Sequence, residues 1–222
     1  MQRMFSQECL LCGATAIDGQ LCPPCRATLP YRPQPACPIC ALPTAGGEIC
    51  GNCLKKPPAF DLTLAAFSYT FPVDALVHSY KYAGNLILLD LLTEPLIHLA
   101  AAQTRPDLLI PMPLHPARLR ERGFNQAHEI AKPLSGKLAI PLDGRGCKRV
   151  IDTKPQAGLK FKHRARNLRG AFSCERDLSG MNIALIDDVM TTGASLNELA
   201  KAVRVRGAAQ VSAWVVARTL PR

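Results

Sequence analysis

The stretch Met181-Asn-Ile-Ala-Leu-Ile-Asp-Asp-Val-Met-Thr-Thr-Gly-Ala-Ser-Leu-Asn-Glu-Leu-Ala200 decides how the rest of the chain is read. Ile183 to Ile186 is a continuous apolar run, the pattern of a central parallel strand covered on both faces. Asp187 and Asp188 stand at its C-terminal end. Small residues follow (Thr191, Thr192, Gly193, Ala194, Ser195), and then a helix with apolar Leu196, Leu199, Ala200 and Val203. Ser195 and Glu198 have the S-x-x-E spacing of a capping box, which starts the helix at Ser195. Gly207 is placed to stop it. Such a loop and first turn present backbone N–H groups and hydroxyls at the positive end of a helix dipole, a cradle for a monophosphate. A second phosphate beside two aspartates would be repelled, whereas a carboxylate accepts hydrogen bonds from neighbouring sugar hydroxyls. Strand, acid pair, small-residue loop and helix together read as a ribose 5-phosphate site in an α/β fold.

Upstream, Leu108 to Ile110 form a short apolar strand that ends in Pro111-Met112-Pro113-Leu114. The segment Arg118-Leu-Arg-Glu-Arg-Gly-Phe-Asn-Gln-Ala127 comes next. Arg118, Arg120 and Arg122, with Gly123 permitting close backbone approach, suit a polyanionic ligand. A helix is expected to begin near Asn125 and to end or kink at Pro133. Residues 152–169 add Lys154, Lys160, Lys162, His163, Arg164, Arg166 and Arg169 with few large apolar side chains. The chain carries a net charge of +10, and residues 115–170, with 14 basic and 4 acidic residues, account for a net +10 on their own. A positive field localised in this way attracts either a small polyphosphate or a nucleic-acid backbone, and both readings remain open.

The first part of the chain is of another kind. Eight of the ten cysteines form four C-x-x-C pairs: Cys9 and Cys12, Cys22 and Cys25, Cys37 and Cys40, Cys50 and Cys53. Residues 13–21 separate the first two pairs and residues 41–49 the last two, so the unit is duplicated. Two such pairs close a tetrahedral zinc site of four thiolates, which leaves no open position for catalysis and makes the metal structural. Sequential pairing, first with second and third with fourth, is expected over a cross-brace. A segment of about 50 residues cannot fold on apolar burial alone, so metal binding supplies much of its folding free energy. Cys147 and Cys174 lie outside this pattern and read as ordinary buried or partly exposed thiols. The paired prolines of Lys55-Lys56-Pro57-Pro58 mark a stiff junction, which divides the chain into residues 1–58 and 59–222.

With 222 residues, 48% hydrophobic and 20% charged, the chain has the material for one packed domain plus this appendage and does not read as disordered. No apolar run reaches the roughly 18 residues of a membrane-spanning helix. The start, Met1-Gln-Arg-Met-Phe5, lacks an apolar signal core, so no membrane insertion and a cytoplasmic location are expected. His78, His98, His115, His128 and His163 form no ligand spacing, and no catalytic acid or base is assigned.

The segment 181–200 resembles the phosphoribosyl pyrophosphate loop of type I phosphoribosyltransferases. That resemblance assigns Asp187 and Asp188 to the ribose hydroxyls and Thr191, Thr192, Gly193, Ala194 and Ser195 to the 5-phosphate. By the same likeness the loop at Pro113 and Leu114 faces pyrophosphate, and residues 152–169 form a flexible loop that closes over the substrate. Enzymes of this kind that act on 6-oxopurines carry an aspartate base where this chain has Thr191, which points away from those substrates. Several further segments are similar to the ComF/GntX family: Pro111-x-Pro-Leu114, Arg122-Gly-Phe-Asn-Gln-Ala127, Gln156, Arg166-Asn-Leu168 and Asp187-Asp-Val-x-Thr-Thr-Gly193. Cys37-Pro-Ile-Cys40, Cys53-Leu-Lys-Lys-Pro-Pro58 and Tyr80-Lys81-Tyr82 match it too, so the resemblance runs from Cys9 to about Arg218. It implies a phosphoribosyltransferase-like parallel sheet with helices on both faces, preceded by a double zinc ribbon. It further implies two structural zinc ions, and magnesium with phosphoribosyl pyrophosphate. The basic site would consist of Pro113, Leu114, Arg118, Arg122, Gly123, Asn125, Lys154 and Arg166. The implied role is in DNA uptake or use of external DNA, with single-stranded DNA or nucleotides and competence proteins as partners. Two other readings stand beside it: a nucleobase-salvage transferase, and a non-catalytic nucleic-acid-binding scaffold. No acceptor base follows from any of these motifs.

Overall fold

The short units at the start of the chain contain too few apolar residues for a core, and their elements are correspondingly small. In the computed structural model, which describes residues 7–16, 20–151 and 168–220, they comprise a two-stranded antiparallel pair, β1 (Gln7–Glu8) and β2 (Thr15–Ala16), and the one-turn helices α1 (Pro23–Ala27) and α2 (Gly51–Lys55). Both helices begin directly after a knuckle cysteine, with Cys22 and Cys50 as extended caps.

The remaining elements run β3 (Leu62–Ser68), α3 (Val73–Tyr82), a single 3₁₀ turn (Leu86–Leu88), α4 (Leu89–Ala101), β4 (Leu108–Pro111), α5 (Pro116–Arg122) and α6 (Gln126–Leu138). They continue with β5 (Cys147–Arg149), β6 (Phe172–Cys174), β7 (Asn182–Met190), α7 (Ala194–Val205) and β8 (Gln210–Arg218). Strands β3, β8, β7 and β4 lie in that order in one parallel sheet, with Ile110 opposite Leu185 and Ile186 opposite Trp214. The apolar runs at 108–111 and 183–186 are strands for the reason their composition suggests: side chains alternate, and both faces are buried. Leu108, Ile110, Ile183, Leu185, Ala213 and Val215 join Leu196, Leu199, Ala200 and Val203 of α7 on one face. Leu109, Ala184, Ile186, Trp214 and Val216 join α3, α4 and α6 on the other, through Leu76, Leu92, Leu96, Ile130 and Leu134. Truncating one of these fully buried side chains, Leu199 or Ile130, costs about 2–5 kcal/mol.

This topology fixes where a ligand can enter. After β4 the chain turns to α5 and α6, and α6 packs on one face; after β7 it turns to α7 on the opposite face. The two loops therefore diverge between adjacent parallel strands, and a crevice opens at their carboxyl ends, the switch point at which open α/β sheets bind ligands.

One local expectation is corrected and two are refined. Helix α7 starts at Ala194, not at Ser195, and no capping box forms: Gly193 is the cap at φ 77°, Thr192 Oγ1 accepts from Ala194 N at 3.1 Å, and Glu198 pairs with Lys201. The left-handed turn at Gly193 begins the helix early and leaves the Ser195 hydroxyl inside its first turn. A side chain at position 193 would also meet Met190 Cε at 3.0 Å, so the loop requires glycine twice over. Helix α6 continues past Pro133 to Leu138 because its apolar face, Ile130, Ala131 and Leu134, is fully buried and outweighs one lost hydrogen bond. Cys147 and Cys174 are both buried, and they face each other across the β5–β6 ladder, a pairing invisible at their sequence separation. Among the described residues no helix is long and apolar enough to cross a membrane.

Candidate functional site

Strand β7 outruns its neighbour. The last β4 partner is Pro111, opposite Ile186, and Met112 N still donates to Ile186 O at 2.8 Å. Asp187 and Asp188 follow at the mouth of the crevice. Their side chains are anchored locally: Asp187 Oδ1 accepts from Asp188 N at 2.9 Å and Asp188 Oδ1 from Val189 N at 2.6 Å. Asp188, 9% exposed, also pairs through Oδ2 with Lys81 Nζ at 2.9 Å. Burial, and then the charge of Asp188, push the Asp187 carboxyl up to about 7, against the opposing pull of Lys81, the Asp188 N–H and Arg149. For Lys81, burial alone would lower the pKa, but the charge and hydrogen bond of Asp188, with Asp187 behind it, raise it above the ordinary range. The site thus holds an ammonium ion and a carboxyl group that titrates near neutrality.

Beyond the acids lie the residues singled out in the loop. Thr191 is exposed, Thr192, Ala194 and Ser195 are half-buried, and Gly193 is buried. The first intrahelical bond of α7 runs from Asn197 N to Gly193 O at 2.8 Å, so the Ser195 and Leu196 amides have no partner within the helix. On the opposite wall, Pro113 is buried and Leu114 half-buried directly after β4. Asn125 ties that loop to α6: its Nδ2 donates to Met112 O at 3.1 Å while its Oδ1 accepts from His128 N at 3.3 Å. Gly123 ends α5 in the left-handed conformation at φ 77°. Lys154 and Arg166, like Gln156 and the other cations of 152–167, lie outside the described residues.

The arginine triplet is divided by helix geometry. Positions 118 and 122 share one face of α5, and with Lys81, Tyr82, Glu121 and Phe124 they line a cavity of about 480 Å³. Arg120 is exposed and does not line it. The Arg122 guanidinium lies over the Tyr82 ring, 5.3 Å from its centroid, and donates to Gln126 Oε1 at 3.1 Å. Lys81 belongs both to this cavity and to the acid pair, so the two regions adjoin. The Tyr80-Lys81-Tyr82 trio supplies three separate contacts: Tyr80 Oη donates to Gln126 O at 2.9 Å, Lys81 meets Asp188, and Tyr82 carries Arg122. From the residues alone the trio reads only as the end of an amphipathic helix. The cation between two aromatics was the available signal. Arg149 on β5 carried no such signal, yet its charge reaches Asp187.

In the head, Cys9, Cys12, Cys22 and Cys25 form one cluster and Cys37, Cys40, Cys50 and Cys53 another, the ligand atoms of each lying within 4.8 Å of one another. The pairing is sequential, as expected. Cys12 and Cys22 Sγ are 3.6 Å apart, and so are Cys40 and Cys50 Sγ. Tetrahedral zinc with bonds of about 2.3 Å requires sulfurs about 3.8 Å apart, so the clusters fit the ion. The duplication extends to the electrostatics. Burial works to raise the Cys9 thiol, but N–H groups of Cys22, Leu11 and Cys12 outweigh it and bring it down to about 6. At Cys37 burial is likewise outweighed, by Cys50, Cys40 and Ile39, giving about 7.

The double zinc ribbon domain family matches residues 1–54. The DNA utilization protein YhgH of Salmonella typhimurium is 35% identical over 191 residues, 83% of this chain and 84% of that protein. Competence protein F of Haemophilus influenzae is 33% identical, over 98% of this chain and 100% of its own length. The chain belongs to the ComF family. Within that family it is 28% identical to competence protein ComFC of Bacillus subtilis, over 91% of this chain. The fold is a parallel sheet with helices on both faces behind a double zinc ribbon. Among solved structures, a purine phosphoribosyltransferase from Pyrococcus horikoshii aligns with 71% of this ComF-family chain and 88% of its own, at 19% identity and a TM-score of 0.34.

Proposed function

We propose that the chain binds phosphoribosyl pyrophosphate in the crevice between β4 and β7 and handles single-stranded DNA, or nucleotides from it, along the adjoining basic surface. The observation that carries this reading is the convergence of an acid pair and an amide-bearing loop at one switch point. Asp187 and Asp188 accept hydrogen bonds from the ribose hydroxyls. Each Asp188 oxygen already has one partner, Val189 N or Lys81 Nζ, and retains a lone pair for a hydroxyl. The Ser195 and Leu196 amides, with the hydroxyls of Thr191, Thr192 and Ser195, hold the 5-phosphate at the positive end of α7. Pro113, Leu114, Gly123 and Asn125 shape the pyrophosphate side. Arg118 and Arg122 supply positive charge there, joined by Lys154 and Arg166 from the segment outside the described residues. The paired carboxylates are hard oxygen donors that fit magnesium arriving with the diphosphate, where it would neutralise charge.

The DNA part of the reading rests on two supports. Relatives named for DNA utilization and competence cover most of the chain. The cavity beside the acids combines Arg118, Arg122 and Lys81 with Tyr82 and Phe124, cations and aromatic rings together, the composition that tracks an unpaired strand. Structure determination with phosphoribosyl pyrophosphate and magnesium tests the first part. The expected result is a phosphate over residues 191–195 and a ribose edge against Asp187 and Asp188. Ligand bound elsewhere, with both acids turned away, would overturn it.

A further inference from the structure

Arg218 ends β8 with its side chain buried, 5% exposed, and none of its bonds goes to a carboxylate among the described residues. Its Nε donates to Cys40 O at 2.8 Å. Its Nη1 donates to Met190 O at 3.0 Å, to Thr191 O, and to Thr219 O at 2.8 Å. One guanidinium thus ties a knuckle of the second cysteine cluster to the first residues of the anion loop. The knuckle is held elsewhere as well: Thr63 N donates to Pro38 O at 2.9 Å and Thr63 Oγ1 to Ile39 O at 2.6 Å. Three consecutive carbonyls, of Pro38, Ile39 and Cys40, are therefore taken by donors from β3 and β8.

A buried cation needs an opposing charge, since leaving it unpaired is costly. The Cys40 carbonyl that accepts from Arg218 Nε belongs to a residue of the second cluster, which places the guanidinium beside the set Cys37, Cys40, Cys50 and Cys53. Four thiolates around a divalent ion carry a net charge of −2, so a loaded cluster supplies the missing counter-charge and fixes the Cys40 carbonyl. Among the described residues no hydrogen bond joins the first cluster to the loop at 190–195; Cys9 and Cys22 pack instead into the apolar core with Phe67, Leu76 and Leu92, and Ser68 N donates to Pro30 O at 2.7 Å. The first unit also contacts the α4 side of the molecule through Arg26 with Glu94 at 3.0 Å and Tyr31 against Phe67 at 5.2 Å.

We propose that Arg218 is a positioning residue through which metal occupancy at Cys37, Cys40, Cys50 and Cys53 sets the geometry of the loop at 190–195, whereas occupancy of the first cluster does not. The duplicated head then has two different tasks: the first ribbon packs into the apolar core on the α4 face of the sheet, and the second is part of the frame of the anion site. The inference deepens the phosphate-loop reading and rests on it for its effect on ligand affinity. The coupling itself is a property of the loop backbone and is measurable without ligand.

The test is residue-resolved amide hydrogen exchange on the full zinc-loaded chain. It follows the Ala194, Asn197 and Thr219 amides, which donate to Thr192 Oγ1, Gly193 O and Met190 O. Three variants are compared with the parent: Cys50→Ser in the second cluster, Cys12→Ser in the first, and Arg218→Lys, which keeps the charge and all eight ligands. Exchange at these amides should rise tenfold or more in Cys50→Ser and Arg218→Lys and stay within twofold of the parent in Cys12→Ser. Unchanged exchange in Arg218→Lys, or equal acceleration by both cysteine variants, would overturn the proposal. Calorimetry with phosphoribosyl pyrophosphate and magnesium on the same set separates the two ideas. A parent that binds nothing removes the phosphate reading alone. Binding that is weakened at least tenfold only in Cys50→Ser and Arg218→Lys supports both.

Discussion

Lys81 Nζ lies 2.9 Å from Asp188 Oδ2, so the last turn of α3 reaches across the fold to occupy the acid pair at the end of β7. Both side chains are largely buried, at 18% and 12% exposed, and removing one partner strands the other charge. Lys81→Met should lower stability by roughly 1–3 kcal/mol in denaturant titration. A double variant that adds Asp188→Leu should recover most of that loss, because it removes the stranded carboxylate. A loss in the double variant equal to the sum of the losses in Lys81→Met and Asp188→Leu alone would show that the pair is not coupled.

The acid pair also sets a pH dependence. Asp187 is raised to about 7 by burial and the neighbouring Asp188 charge, against an unfolded value of about 3.9. The folded chain therefore holds this proton more tightly than the unfolded chain. Its contribution to stability is present below about pH 4 and lost as pH rises through about 7. Asp187→Asn should be the more stable protein at pH 8, with the difference vanishing near pH 4. A gain of about 1 kcal/mol would appear as about 2–4 °C in Tm for a chain of this size. Binding that uses the ionised acid should release a proton, so affinity for phosphoribosyl pyrophosphate should rise from pH 6 to pH 8.

Much of this arrangement was legible in local sequence. The apolar run 183–186, the acids after it and the glycine-containing loop are contiguous, and a strand buried on both faces leaves a nearly uninterrupted apolar signature. The cysteine clusters were equally readable, since C-x-x-C spacing and its duplication are local features. What could not be read depends on closure of the fold. Nothing near Lys81 says that its partner is Asp188, and nothing near Arg218 announces Cys40. Cys147 and Cys174 meet only because β5 pairs with β6. The capping box failed for a different reason. The S-x-x-E spacing is present, but the left-handed residue Gly193 starts α7 ahead of it, and spacing alone does not encode φ.

Metal analysis by native mass spectrometry should give about two zinc ions per chain, one for each cluster of four thiolates. Cys12→Ser and Cys53→Ser should each lose about one ion, and the combined variant both. A head that stays folded with no metal would show the ligand assignment to be wrong, because a unit of this size lacks the apolar core to fold alone.

The basic cavity makes a prediction about salt. If Arg118 and Arg122 contact the phosphates of single-stranded DNA, affinity should fall steeply with salt concentration, and each change to Ala should reduce the slope of log K against log[salt] by about 0.7. Arg120, which does not line the cavity, should matter less. Tyr82→Ala should weaken binding by about 1–3 kcal/mol with little change in slope, since stacking does not release counterions. Affinity that is independent of salt would remove nucleic acid from the proposal.

The most direct measurement is calorimetric titration of the zinc-loaded chain with phosphoribosyl pyrophosphate and magnesium, beside Asp187→Ala and Asp188→Ala. Saturable one-site binding by the parent is predicted, with each substitution weakening it at least tenfold. Parent and variants that bind with the same affinity, or a parent that does not bind at all, would contradict the assignment of the crevice between β4 and β7 to a phosphorylated pentose.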